Sequence, residues 1–241
     1  MTNKNPKVIK RKTQFYSLEG PGTYQNLRKR LLRKELLLPE GDRIASLVYD
    51  AYDSEEKESQ EIQDIVKYNY IWVFNRNLWI PEGVYVVKDP NAIGTIEELN
   101  KKYLCEQLNR NGSSKSVLYS NKGDIAFAPR GAYKPGKHTP ESLAKDGFVI
   151  ASFGEEGAKK LGELSKKFNH KPIIYGIEPS FGEEVQSVSS LSSNWEGGGF
   201  CISGDSSDTY FCVPEDSEHY DYFFTSRDGS DSENSGFAFG V

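Results

Sequence analysis

Cysteine, methionine and histidine are scarce in this 241-residue chain, at three, one and three copies. Cys105, Cys201 and Cys212 are an odd set that cannot pair off completely, so they do not read as the disulfide framework of a secreted domain; reduced thiols and a cytoplasmic location are the expectation. His138, His170 and His219 stand far apart in the sequence, which leaves no His-Glu-x-x-His or comparable metal spacing, and no nucleophile sits at a recognisable strand-to-helix elbow. Long apolar runs are missing too. The clusters Tyr70 to Phe74 and Phe148 to Phe153 are strand-sized, and Met1 to Gln14 is polar and basic, so neither a spanning helix nor a signal peptide is read. Positive charge is nearly absent from residues 178–241, where Arg227 stands alone against thirteen Asp and Glu.

The bases missing there are gathered at the other end. Residues 1–36 hold ten Lys and Arg against two acids, while residues 37–177 hold nineteen bases and twenty acids, so the formal net charge of -5 conceals a positive start and a negative end. Such sorting points to an anionic partner for the basic end, or to contact between the two ends. The length suffices for one substantial core without disulfides or metals. With 13 Phe and 14 Tyr supplying much of the apolar bulk, the composition is that of a globular protein rather than a disordered one.

Along the chain, residues 1–22 read as a flexible basic arm closed by Gly20-Pro21-Gly22. Residues 23–241 read as a single α+β domain, with a sub-division near 180 into an acidic β-rich part as the alternative. Thr23 offers an N-cap to a helix running to about Leu38; Tyr24, Leu27 and Leu31 share one face, and Lys29, Arg30, Arg33 and Lys34 project from the other. Asp42 opens a second helix with Ile44, Leu47, Val48, Ala51 and Tyr52 at helical spacing, and Ile62, Ile65 and Val66 suggest a third. The period then changes to two. Tyr70, Trp72 and Phe74 alternate with Ile71 and Val73, both faces apolar, which predicts an interior strand; Asn75 to Gly83 reads as a long connection and Val84 to Val87 as the returning strand of a hairpin.

Thr95 to Glu98 is a capping box before a helix that turns Ile96, Leu99, Tyr103 and Leu104 inward. Val117 to Tyr119 and Ile125 to Phe127 predict a second hairpin, and Thr139-Pro140 a short capped helix ending at Gly147. Phe148 to Phe153, a helix opened by the Ser152 to Glu155 capping box, and Pro172 to Ile177 read as a βαβ unit with parallel strands. Beyond Gly182 the chain is rich in Ser and Gly, with strands expected at Phe200 to Ser203, Tyr210 to Val213, Tyr222 to Thr225 and Phe237 to Val241. The fold expectation is therefore α+β: a mixed sheet with one βαβ unit, N-terminal helices and a C-terminal antiparallel strand region.

Three clusters are candidates for ligand chemistry. Asn75, Arg76 and Asn77 with Trp79 follow the most apolar strand; Arg130, Tyr133, Lys134 and His138 crowd one Gly/Pro-rich loop; Glu178 stands at the carboxyl end of an apolar strand, where open α/β sheets place ligands. Together they could line a pocket for an anionic or planar ligand. Gly154 and Gly157 sit where a phosphate could meet a helix N-terminus, but Glu155 and Glu156 already complement that dipole. Asp205 and Asp208, and Asp228, Asp231 and Glu233, lack the spacing of a calcium loop, and a hairpin centred between Cys201 and Cys212 sets two reduced thiols opposite each other. No metal and no cofactor is expected.

These features favour a soluble binding protein with no recognisable catalytic motif. It would contact a macromolecular partner through Lys29, Arg30, Arg33 and Lys34, the partner being an acidic protein or the chain's own acidic C-terminal face. Nucleic-acid binding through residues 4–34 is an alternative, disfavoured by the acidic C-terminal region. A hydrolase or transferase with a pocket near Glu178, Arg130 and His138 is another. Membrane attachment is not expected, because the apolar helix face lacks Trp and Phe, and the oligomeric state is not legible in the residues.

Overall fold

Alternation of side chains along residues 70–80 organises the molecule, because one strand serves three separate apolar clusters. The computed structural model describes residues 7–11, 14–88, 99–108, 117–193, 200–203 and 236–241. Among these, the strands are β1 (Lys7–Arg11), β2 (Gln14–Gly22), β3 (Tyr70–Ile80), β4 (Gly83–Lys88), β5 (Leu118–Tyr119), β6 (Ile125–Pro129), β7 (Gly136–Lys137), β8 (Ile173–Tyr175), β9 (Val185–Ser193), β10 (Phe200–Ser203) and β11 (Gly236–Gly240). The helices are α1 (Tyr24–Arg33), α2 (Gly41–Tyr52), α3 (Lys57–Tyr68), α4 (Lys101–Gln107), α5 (Pro140–Leu143) and α6 (Gly147–Ser165). The fold is α+β.

All the strands join one sheet, in the order β1-β2-β11-β3-β9-β10-β8-β7, with β4 paired to β3 and β6, and β5 to β6. β3 lies at its centre. It runs antiparallel to β9 and β4 and parallel to β11, so both of its edges are occupied. Ile71, Val73 and Trp79 turn to the main core under α2, α3 and α6. Trp72 and Phe74 turn the other way, onto Tyr24, Leu27 and Leu31 of α1, and further along Leu78 and Ile80 meet Leu99, Leu104 and Ile125. The two apolar faces expected from the period of two are thus both covered. The strand is longer than its apolar run, since Asn75–Ile80 continues it where a connection was expected, and the hairpin to β4 closes tightly with Ile80 opposite Gly83.

The basic N-terminal residues are not an arm where the structure describes them. β1 and β2 form an antiparallel hairpin with Arg11 opposite Gln14, and β2 in turn pairs with β11. Thr23 caps α1 by accepting from the Asn26 amide, as its position predicts, but the helix stops at Arg33, and Glu35 then takes a left-handed conformation at φ 57°. Leu37 and Val241 exchange backbone hydrogen bonds of 2.8 and 2.9 Å, which ties the segment after α1 to the end of β11.

The expected βαβ unit is absent. Phe148–Phe153 lies in the first segment of α6, before Gly154, and β8 runs parallel to β10 instead. A short apolar run fits a buried helix as well as a buried strand. The deciding group is Asp146, whose Oδ1 accepts from the Phe148 and Val149 amides and starts the helix there. Gly154, at φ 71° and ψ 168°, interrupts α6 before it resumes through Ser165. Close packing against α2 follows from small residues: a Cβ at Gly41 would lie 2.0 Å from the Ser152 carbonyl oxygen. Tyr103, expected inward on α4, is exposed. β9 is a further departure, an inner strand in the Ser- and Gly-rich stretch beyond Gly182, where no strand was expected before Phe200. The strands expected at Tyr210 to Val213 and Tyr222 to Thr225, the Thr95 to Glu98 capping box, and Cys212 lie outside the described residues.

Candidate functional site

Three of the residues singled out after the apolar strand serve the sheet itself. Asn75 is buried and donates from Nδ2 to the Ser152 carbonyl at 2.8 Å, which joins β3 to α6 just before its interruption. Asn77 donates to Ser187 Oγ and Ser189 Oγ at 3.3 and 3.1 Å, and Ser189 Oγ donates back to Asn77 Oδ1 at 3.3 Å. Trp79 Nε1 donates to Ser187 Oγ at 2.8 Å. The serines of β9 that face β3 therefore satisfy polar groups that burial would otherwise leave costly. Arg76, the one neighbour that is half-buried, points from the other side of the strand.

Trp79 carries the link from this interior to the loop of residues 130–138. Its ring meets Tyr133 edge-on at 5.6 Å and Phe148 at 5.0 Å. The loop is strapped down by backbone bonds: the Gly147 amide donates to the Ala132 carbonyl at 2.7 Å, and the Lys134 amide donates to Asp146 Oδ2 at 2.9 Å. His138 completes the strap. Its Nε2 lies 2.6 Å from the Lys134 carbonyl, which only accepts, so Nε2 carries the proton, and Nδ1 lies 3.1 Å from Ser142 Oγ. His138 is buried and turned into the structure. Burial raises the pKa of the Asp146 carboxyl, opposed by the backbone amides it accepts from and by His138.

Arg130 and Glu178 are exposed, and both act electrostatically on the buried Tyr133. Burial raises the pKa of the Tyr133 hydroxyl; the Glu178 carboxylate raises it further and the Arg130 guanidinium opposes. Gly176 brings β8 up to this corner, since a Cβ there would lie 3.1 Å from the Trp79 ring and 3.4 Å from Pro135. Trp79 thus underlies a buried Tyr133 on which the exposed Arg130 and Glu178 act electrostatically, while Asn75, Asn77 and His138 are spent on internal hydrogen bonds. An open groove of about 820 Å³ lies elsewhere, lined by residues that include Leu99, Lys102, Cys105 and Glu184.

The basic face of α1 has a different character. Tyr24, Leu27, Arg28 and Leu31 are buried, and Lys29, Arg30, Arg33 and Lys34 lie on the exposed side. Glu19, almost fully buried on β2, pairs with Lys34 and sits 3.8 Å from Arg30. Arg30 also donates to the Pro21 carbonyl at 3.4 Å. Lys29 and Arg33 have no such counterion among the described residues. The helix does meet the C-terminal strand, but with its apolar side: Leu27 and Leu31 share a cluster with Ala238, and a Cβ on Gly240 would fall 2.7 Å from Leu31. The acidic residues Asp205 to Glu233, with the aspartates weighed as cation ligands, lie outside the described residues.

Among the described residues, no group of three or more His, Cys, Asp and Glu could hold a metal ion, and no helix is long and apolar enough to cross a membrane. No family model matches the chain, and no curated protein matches it. Among solved structures it is similar to one described as showing the accommodation of massive sequence variation in Nanoarchaeota by the C-type lectin fold. The identity is 11% and the TM-score 0.46, over 81% of this chain and 91% of that one. At that overlap the likeness assigns neither family nor function.

Proposed function

We propose that the protein acts by binding an acidic macromolecular partner, with Lys29, Arg30, Arg33 and Lys34 of α1 as the contact. The observation that carries this reading is the state of Lys29 and Arg33: exposed, on the outer side of a helix whose other side is buried, and without a counterion among the described residues. Arg30 and Lys34 share the single carboxylate of Glu19, so the face keeps an excess of positive charge. Exposed charges of this kind steer encounter and set partner choice more than they add affinity, and they are screened by salt. The apolar contact of α1 with β11 leaves these charges directed away from the C-terminal strand, which favours a partner outside that strand.

The test is binding of fluorescent polyglutamate to the full chain, followed by anisotropy across a salt titration. The expected result is an affinity that falls steeply with salt and that the Lys29→Ala/Arg33→Ala variant loses, while thermal stability stays within about 0.5 kcal/mol because both sites are exposed. No binding at low salt, or binding that the double variant leaves unchanged, overturns the proposal. A single-stranded polynucleotide run in parallel that binds more tightly than polyglutamate would transfer the surface to nucleic acid.

A further inference from the structure

The basic surface has a second component in its backbone. β1 is the terminal strand of the sheet order, and β2 is its partner among the described residues. Arg11 stands opposite Gln14, and the pair that closes a two-residue link exchanges hydrogen bonds. Alternation from that pair turns the backbone groups of Ile9 and Lys7 toward Tyr16 and Leu18. It leaves the N–H and C=O of Val8 and Lys10 directed away from β2.

Sheet edges are guarded by proline, by bulges or by charge, because an open edge is a template for another strand. Lys7–Arg11 contains no proline, and its register with β2 runs without a shift. Among the described residues no strand pairs with its other side, and its sequence KVIKR carries three bases and no acid. Charge of one sign repels a strand of the same sign and a second copy of itself, and it admits an acidic one. β2 lies between this edge and the helix face. Leu18 stands opposite Lys7, and the adjoining Glu19 is held by Arg30 and Lys34.

We propose that β1 accepts an acidic, extended polypeptide segment as an added strand, bonded through the outward backbone groups of Val8 and Lys10, with the adjoining bases supplying charge selection. This rests on the reading of the basic surface as an interface for an acidic macromolecule, and it specifies the form of that partner: a strand, in the mode by which peptides extend an exposed sheet edge.

The experiment uses the full chain and an end-blocked peptide of alternating Glu and Val. Versions N-methylated at every second residue, in either phase, keep the charge but remove donors on one side of the peptide. Strand addition predicts that one phase abolishes binding and the other does not. It also predicts that the Val8 and Lys10 amides slow in hydrogen exchange when peptide is added, and that Val8→Pro weakens binding about tenfold with the salt slope unchanged, as for one lost backbone bond. Proline is tolerated at a strand position whose N–H faces outward, so this variant should fold; the N-methylated peptides test the same point on the unaltered chain. Equal binding of the parent and both methylated peptides, or Val8 and Lys10 amides already protected before peptide is added, overturns strand addition. If that equal binding remains salt-dependent and sensitive to Lys29→Ala/Arg33→Ala, the basic-surface reading stands while strand addition falls. If no peptide binds at low salt, both fall.

Discussion

At Asn75 a single amide joins the central strand to the longest helix. Its Nδ2 donates to the Ser152 carbonyl in a buried setting, so truncation removes the donor and leaves that oxygen without it. Asn75→Ala is expected to cost about 1–3 kcal/mol, read as a lower urea midpoint with an unchanged slope. Asn75→Asp should cost more, because a carboxylate oxygen would then face a carbonyl oxygen in the interior. An Asn75→Ala protein as stable as the parent would show that the bond is not made. Polar residues near the end of an apolar run read as a ligand cluster in the sequence, and Asn75, Asn77 and Trp79 turn out to bind their own sheet. The missing information was the partner set: Ser187 and Ser189 lie more than a hundred positions away from Asn77, and only strand pairing brings them alongside. Arg130 and Glu178 stay exposed, and Tyr133, on which both act electrostatically, is buried against Trp79.

Among the elements, α6 departs furthest from its sequence pattern, and Gly154 is the reason that it can. At φ 71° and ψ 168° it occupies a region open in practice to glycine alone, and a Cβ there would meet nothing nearer than 3.8 Å. Gly154→Ala therefore isolates the backbone cost, with little contribution from crowding. The expected loss is about 1–3 kcal/mol of unfolding free energy, measured by denaturant titration; a neutral effect would mean that the helix runs straight through this position. The interruption also explains why Ser152 to Glu155 resembles a helix start in the sequence, since a helical segment does begin just beyond it. β9 hid for a related reason. Its inward serines hold the period of two but replace apolar side chains by hydroxyls, so a hydrophobic pattern passes over them.

For the whole molecule, stability is expected to fall at alkaline pH because of its buried and half-buried phenols. Burial raises the pKa of Tyr16, Tyr70, Tyr119, Tyr133 and Tyr175 above the ordinary phenol value of 10.0. The folded state then holds these protons more tightly than the unfolded chain does. Their stabilisation is complete below pH 10 and is lost as pH rises through the raised values. Thermal midpoints are expected to fall above pH 10 in step with a late-ionising set of tyrosines seen by ultraviolet absorbance. Complete ionisation of all tyrosines near pH 10 with no change in stability would contradict this. The charge sorting acts at the same scale: Lys29, Arg30, Arg33 and Lys34 ride on the exposed side of a capped helix whose other side is buried.

The sequence by itself determined the α+β class, the amphipathic helices α1 and α2, the double-faced strand at Tyr70 to Phe74, both β-hairpins after it and the Thr139 cap. These follow from local periodicity and capping chemistry, which act over a few residues. The tertiary structure alone decided that Phe148–Phe153 is helical, that Ser-rich β9 lies inside the sheet, that Lys7–Gly22 is a hairpin, and that Asn75, Asn77 and His138 turn inward while Arg130 and Glu178 stay at the surface. Each of those outcomes depends on a partner distant in the chain. A short apolar or polar run suits more than one backbone state, and the choice falls to whichever state pairs its hydrogen bonds and buries its apolar side with the rest of the molecule.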